Sequence, residues 1–244
     1  MNRSSFTLKA LTAALILAST TGMVFAKGYK GDFKGEACPP PQMLKSGWYL
    51  GAQVGYDSYR VRNSISAPGV PASTLVANPV IAANGWVGGL FLGYGQMFND
   101  WFYLGGEIFA NASNASQNYS ASTGAGAATV TYTNKFTANS SYGLGLLPGI
   151  KMTDSTLTYI RLGWNWANLK TQETLTGSAS GSKSNTSNGF VFGVGMETLI
   201  VDNWSLRGEF DHTWYGSYTT GATYGTSVNP SDNQYMLALI YHFA

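Results

Sequence analysis

From Gly47 onward the chain alternates: apolar residues fall on every second position, with small or polar residues between them. In the first such segment Trp48, Leu50, Ala52, Val54 and Tyr56 alternate with Tyr49, Gly51, Gln53, Gly55 and Asp57. Successive side chains of a strand point to opposite faces, so a period of two predicts a strand with one apolar face. The pattern returns in rows containing Leu90 and Leu92, Leu104 and Ile108, Leu144 and Leu146, Ile160 and Trp164, Phe192 and Val194, Leu206 and Phe210, and Leu237 and Leu239. Eight strands of roughly ten residues or more result, long enough to cross a bilayer when tilted.

The connections alternate as well. Short ones centre on Asn99-Asp100, Thr153-Asp154-Ser155 and Asp202-Asn203, residue types that tight turns favour. Long ones cover residues 63–83, 114–133, 171–186 and 216–231, rich in Ser, Thr, Gly, Asn and Ala. Short turns at one end and long loops at the other are the layout of an outer-membrane barrel. A soluble β-sandwich would alternate too, but its second face would be richly charged. Here that face is mostly Gly, Ser, Asn and Gln, which suits the inside of a narrow closed tube. Aromatics collect at the strand ends. Trp48, Phe98, Trp101, Phe102, Trp204, Tyr241 and Phe243 lie near the short turns and termini, and Tyr59, Trp86, Trp166, Trp214 and Tyr235 near the long loops. Two such bands read as interfacial girdles. The expected fold is all-β: an eight-stranded antiparallel up-and-down transmembrane β-barrel over residues 47–243.

Composition agrees. Charged residues are 11% of the chain, less than half the roughly 25% of an ordinary soluble domain. Aromatics are 14%, too many for a disordered chain. Past the N-terminal segment there is no apolar run of about 20 residues, which excludes a helical membrane bundle. The formal charge of +2 comes from Arg3 and Lys9; the remainder is balanced, leaving no electrostatic footprint for nucleic acid.

Those two residues belong to a segment that reads as a signal peptide over residues 1–26. It has a basic start, an apolar core from Ala10 to Ala18 and small residues around Val24-Phe25-Ala26. Residues 27–46 are a polar leader containing Pro39-Pro40-Pro41, expected to lie extended in the periplasm. Cys38, the single cysteine, follows Gly35-Glu36-Ala37 well past the apolar core; it reads as a free thiol, not a lipid-tethering one. Both termini are expected on the periplasmic side of a Gram-negative outer membrane.

Four stretches carry a family resemblance. Ser46-Gly47-Trp48-Tyr49-Leu50-Gly51-Ala52 resembles the opening strand of the OmpA-like and opacity-protein group of small outer-membrane barrels. Gly193-Val194-Gly195-Met196-Glu197 resembles the group's sixth strand, and Asp202 through Phe210 its last turn and seventh strand, with Arg207-Gly208-Glu209-Phe210 as its Arg-x-Glu-aromatic run. Tyr235 through Phe243 resembles the terminal strand that the barrel-assembly machinery reads, although Ala244 follows where the group usually stops. The resemblance implies a surface protein in contact with outer-membrane lipid and lipopolysaccharide. It also implies a structural role and an adhesin or antigen role, with a host-surface ligand, through the loops.

The inward face offers candidate chemistry. Glu107, Arg161, Glu197, Arg207, Glu209 and Asp211 should point into the lumen, where charges must be paired. A paired network is either a structural plug or the gate of a small channel. Eight strands leave no open aqueous pore. A lipid-modifying enzyme would need a histidine with a nucleophile at the rim. His212 is followed by Thr213-Trp214 where barrel deacylases carry His-x-Ser, and adjacent Asp211 points to the opposite face; His242 belongs near the short-turn end. No catalytic residue, metal-ligand spacing or cofactor motif is therefore assigned. Tyr119, Tyr132, Tyr218 and Tyr224 are the candidate loop contacts.

Overall fold

The structure, a computed structural model, describes residues 44, 46–64, 80–123, 130–175, 180–220 and 226–243. The signal segment and Cys38 lie outside the described residues, as does the leader apart from Leu44 and Ser46. The elements are β1 (Gly47–Ser64), β2 (Val80–Phe98), β3 (Phe102–Ser113), β4 (Ser116–Thr123), β5 (Val130–Thr153), β6 (Thr156–Leu175), β7 (Gly181–Val201), β8 (Trp204–Tyr215), β9 (Tyr218–Thr220) and β10 (Thr226–His242).

Every pairing is antiparallel, and the sheet closes on itself because β1 pairs with both β2 and β10. The closing seam runs from Tyr49 opposite His242 to Ser64 opposite Ser227. β3 and β4 form one stave interrupted at residues 114–115, since both pair with β5. β8 and β9 form another, both pairing with β10. The result is a ring of eight staves, closed by pairing up to Asn84–Ser116 between β2 and β4 and up to Gly189–Tyr215 between β7 and β8. Three turns close one end. Asn99 and Asp202 sit there at φ 57° and 47°, the left-handed region that Asn and Asp tolerate better than other side chains.

The outer face carries the apolar rows read from the sequence. Leu90, Ile108, Leu146, Val194 and Leu237 are each about half exposed or more, as side chains that face lipid must be. Aromatic pairs bound this belt. At the turn end Trp48 meets Tyr94 and Trp204 meets Tyr241, with ring centroids 5.4 and 5.1 Å apart. At the loop end Tyr56 meets Trp86, Tyr142 stacks on Trp166, and Phe190 stacks on Trp214. Tyr59 is not part of this girdle. It shares the inward parity of Asp57 and is buried in the lumen.

The four long loops expected from the sequence are shorter than they read. β1 runs to Ser64 and β2 starts at Val80; β4 and β5 reach Thr123 and Val130; β6 and β7 reach Leu175 and Gly181; β10 begins at Thr226. The wall therefore continues well past the loop-end girdle. It is held by ladder hydrogen bonds and by a buried lumen cluster that includes Tyr59, Val61, Ile81, Phe136, Leu169 and Val228. Ser and Thr support this extension, because their side chains bond across strands, as in Ser120–Thr133 and Ser122–Thr131.

Candidate functional site

The six lumen charges meet in one buried cluster, contributed by β3, β6, β7 and β8. Glu107 is its hub. Its Oε2 accepts from Arg161 Nη2 at 2.5 Å, and its Oε1 accepts from Arg207 Nη1 and from the Tyr49 hydroxyl. Arg207 also forks onto Glu197 Oε2, with Nη2 at 2.9 Å and Nε at 3.2 Å. Arg161 Nε lies 2.9 Å from Glu209 Oε1 and 3.7 Å from Asp211 Oδ2, and the Tyr159 hydroxyl donates to Glu209. Rings complete the setting. The Arg207 guanidinium carbon is 4.8 Å from the Phe91 centroid and 5.2 Å from that of Tyr159; Arg161 lies 5.5 Å from Phe109. Desolvated cations over aromatic faces gain attraction that partly offsets their loss of hydration.

Besides Tyr49 and Tyr159, the sequence reading missed Ser205 and His242. Ser205 donates to Glu197 Oε1 at 2.6 Å, and His242 Nε2 lies 2.8 Å from that same oxygen and 3.0 Å from Ser205 Oγ. The available signal was parity: His242 shares the inward row of Met236, Ala238 and Ile240. Serine, histidine and a carboxylate in contact invite comparison with a hydrolytic triad. A triad needs the acid on one imidazole nitrogen and the nucleophile on the other. Here both crowd onto Nε2, in a buried pocket, so the arrangement is an anchor for Glu197. His212 faces outward, with Nδ1 2.7 Å from Asn233 Oδ1 and its ring 4.3 Å from that of Trp214. Among the described residues no cluster of three or more His, Cys, Asp or Glu could hold a metal ion.

Apolar layers flank the charges along the lumen. Tyr103, Leu147, Leu157 and Tyr159, with Leu44 and Met97 against them, fill the turn end. The larger cluster around Tyr59 and Phe136 fills the loop end. Glycines make room for the rings: the Tyr49 ring lies against Gly93 and the Tyr159 ring against Gly195, where a β-carbon would collide with it. Between the charged layer and the loop-end cluster, Gln234 Nε2 donates to Asp57 Oδ1 at 2.9 Å, beside buried Asp232.

The candidate contact tyrosines fare differently. Tyr119 and Tyr218 do not stand clear of the surface. Both are half-buried against the loop-end cluster, and the Tyr218 hydroxyl is 3.1 Å from Thr171 Oγ1; Tyr119 keeps the odd, inward parity of β3, whereas Tyr218 turns inward after the break at residues 216–217. Tyr132 enters β5 as the backbone partner of Ala121, and Tyr224 lies outside the described residues.

Solved structures similar to this one include the attachment invasion locus protein of Yersinia pestis. It is 14% identical over 82% of this chain and 100% of that one, with a TM-score of 0.41. Neisserial surface protein A is 15% identical over 81% and 98%, with a TM-score of 0.41. The outer membrane protease OmpT of Escherichia coli is 10% identical over 83% and 99%, with a TM-score of 0.49. Among curated proteins none matches the chain. The family described as the outer membrane protein beta-barrel domain matches residues 12–243. Fold, girdles and family match agree: the chain belongs to the outer membrane protein beta-barrel domain family, whose place is the outer membrane of Gram-negative bacteria.

Proposed function

We propose that this protein is a closed, non-catalytic surface barrel that acts as a structural element of the outer membrane and meets its partners through the loop end. In this reading the turn end and both termini face the periplasm, and the extended wall and its loops face outward. The observation that carries it is the filled lumen. An ion-pair network held by Arg161 and Arg207 lies between two apolar layers, so exchange of salt-bridge partners alone opens no path. A gated channel would also have to part the Tyr103–Leu147 layer and the Tyr59–Phe136 layer, which gives no reason to prefer it. The outward charges favour this orientation: Asp100, Asp154 and Asp202 lie exposed at the turn end, and basic residues lie on the outer wall at the loop end.

Recording in planar bilayers tests the plug, after gel mobility of unboiled against boiled protein has established the folded barrel. No conductance is expected from wild type or from Arg207→Ala; steady single-channel currents from wild type would overturn the reading. An adhesin or antigen role belongs to the same reading. Deleting residues 65–79 should abolish binding of intact cells to a host surface while leaving the barrel folded.

A further inference from the structure

The charged layer neutralises its own acids: Glu107, Glu197, Glu209 and Asp211 share Arg161 and Arg207. Two further carboxylates, nearer the loop end of the lumen, have no such cation. Asp57 on β1 and Asp232 on β10 are both 0% exposed, and among the described residues no arginine, lysine or histidine forms an ion pair with either. Asp57 lies opposite Gln234, and Asp232 opposite Tyr59. The two acids are therefore diagonal neighbours on the inward face, roughly 7–8 Å apart at the backbone. They stand on either side of the seam where the first and last strands close the ring.

Their oxygens are short of donors. Gln234 Nε2 donates to Asp57 Oδ1 at 2.9 Å. Asp57 Oδ2 and both oxygens of Asp232 have no hydrogen-bond partner, although the backbone of Ser58 and Asn233 approaches Asp232. A second group borders the same space from the opposite wall. Asn165, on β6 and 1% exposed, donates from Nδ2 to the Tyr215 hydroxyl at 3.0 Å and keeps its own Oδ1 unpartnered. The Tyr215 ring stacks on that of Tyr59, and both hydroxyls lie within the field of both carboxylates. The chamber thus presents carboxylate, amide and phenol oxygens with too few protons among them. Two buried carboxylates without a counter-charge are strongly unfavourable. An all-oxygen set carrying two negative charges suits a hard divalent cation, which takes oxygen ligands and, in the case of calcium, tolerates irregular geometry.

We propose that Asp57 and Asp232 bind one hard divalent cation of the calcium class, with the Asn165 amide oxygen as a neutral donor on the facing side. The ion clasps β1 to β10 from inside, between the charged layer and the apolar cluster around Tyr59 and Phe136. Gln234 is a positioning residue, since its amide holds Asp57 in place. The clasp requires neither a particular orientation in the membrane nor a ligand on the loops, so it stands apart from the function proposed above.

The test uses the full chain refolded in detergent free of lipopolysaccharide, whose phosphates would compete for the ion. Terbium(III) serves as the calcium probe, with Tyr59 and Tyr215 beside the site as its light-harvesting groups, and calcium is then added in competition. Wild type should give a saturable terbium signal that calcium displaces. Asp57→Asn/Asp232→Asn should weaken binding on the order of tenfold or more, because both charged ligands are lost. Asp100→Asn/Asp154→Asn/Asp202→Asn, which removes exposed acids of the turn end, should bind as wild type does. Calcium should raise the unfolding temperature of wild type and leave that of the Asp57/Asp232 double variant unchanged. Asparagine keeps the shape and removes a buried charge, so the double variant should keep the heat-modifiable band; if it does not, Asp232→Asn alone is read by the same two criteria. Terbium binding that the double variant retains, or that the turn-end variant loses, would overturn the site. So would a wild type that binds no terbium, or one stabilised by acid and not by calcium, since the pair would then share a proton instead of an ion.

Discussion

The two halves of the barrel wall are built with opposite polarity. In the turn half the outside is apolar and the inside holds the charged layer, set among the rings of Tyr49, Phe91, Tyr103 and Tyr159. On β8 outward Leu206 and Phe210 flank inward Arg207, Glu209 and Asp211. In the loop half the assignment reverses. On β6 inward Ala167 and Leu169 are buried while outward Asn168, Lys170 and Gln172 are polar. On β5 inward Phe136 is flanked by outward Lys135 and Thr137, and on β1 the change falls between Tyr56, facing out, and Tyr59, facing in. On β1, β6 and β8 the parity is constant and only the solvent changes; on β5 a bulge between Ala138 and Ser140 shifts the inward row from Phe136 and Ala138 to Ser141 and Gly143. Where hydrocarbon surrounds the wall, the lumen must satisfy its own charges. Where water surrounds it, the lumen gains an apolar cluster around Tyr59 and Phe136, although Asp57, Glu173 and Asp232 stay buried inside that half. One sheet thus carries a membrane barrel and a strand extension beyond its loop-end girdle.

Breaking the charged half should be the larger perturbation. Arg207→Met removes the fork to Glu197 and the contact with Glu107, leaving buried carboxylates short of a cation. A loss of about 3–5 kcal/mol is expected from urea unfolding in vesicles. Arg207→Met/Glu197→Leu should recover part of that loss, because a buried pair replaced by apolar groups costs far less than half a pair. If the double variant is the less stable of the two, the network is not a balanced pair system. In the loop half, Leu169→Ala should cost about 2–5 kcal/mol, through transfer and cavity terms. The loss should be local. Hydrogen exchange should quicken in the loop-end parts of β5, β6 and β10 while the heat-modifiable band persists. Faster exchange spread evenly over all eight staves would show the halves to be one cooperative unit.

The change of outer solvent can be probed on a single strand. Val194 faces outward within the belt on β7, and Ser184 faces outward on the same strand beyond the girdle. Val194→Arg should cost about 2–4 kcal/mol, as a cation held at hydrocarbon depth does. Ser184→Arg should stay within about 0.5 kcal/mol of wild type, as exposed substitutions usually do. Equal penalties, read by the same urea titration, would place both positions in one medium.

This polarity reversal also explains what the sequence made legible. The rows around Trp48–Tyr56 and Tyr235–Phe243 are long and consistently apolar, and the rows of Leu104 and Ile108, Ile160 and Leu162, and Leu206 and Phe210 gave the inward parity of Glu107, Arg161 and Arg207 in the same way. Beyond Tyr56 the apolar members Tyr59, Val61 and Ile81 continue the alternation with the opposite face buried. Set among Ser, Thr and Asn, they read as loop, which also misplaced Tyr59 in a girdle and exposed Tyr119 and Tyr218. Which charge meets which was not legible. The contact between Glu107 and Arg207 depends on the stagger at which the staves close, and alternation carries no information about stagger.

The smallest effect isolates packing from charge. The lumen glycines of the turn half are spaces into which neighbouring rings fit, so a methyl group should be resisted there and accepted outside. At Gly93 an added β-carbon would run into the Tyr49 ring, whose hydroxyl is bonded to Glu107 and whose face lies 5.5 Å from the Arg207 guanidinium carbon. The ring cannot retreat without loosening the hub, so Gly93→Ala should cost about 1–3 kcal/mol as overpacking does. Gly208 lies between inward Arg207 and Glu209 but points outward, with nothing within 4 Å of its would-be β-carbon. There alanine only removes freedom from the unfolded chain and adds apolar surface toward lipid, so stability should hold or rise by a few tenths of a kcal/mol. Paired unfolding titrations of the two variants decide it. Equal responses would mean that the inner face is loose enough to hold water, and that the charged layer is sealed by its ion pairs alone and not by the rings packed around it.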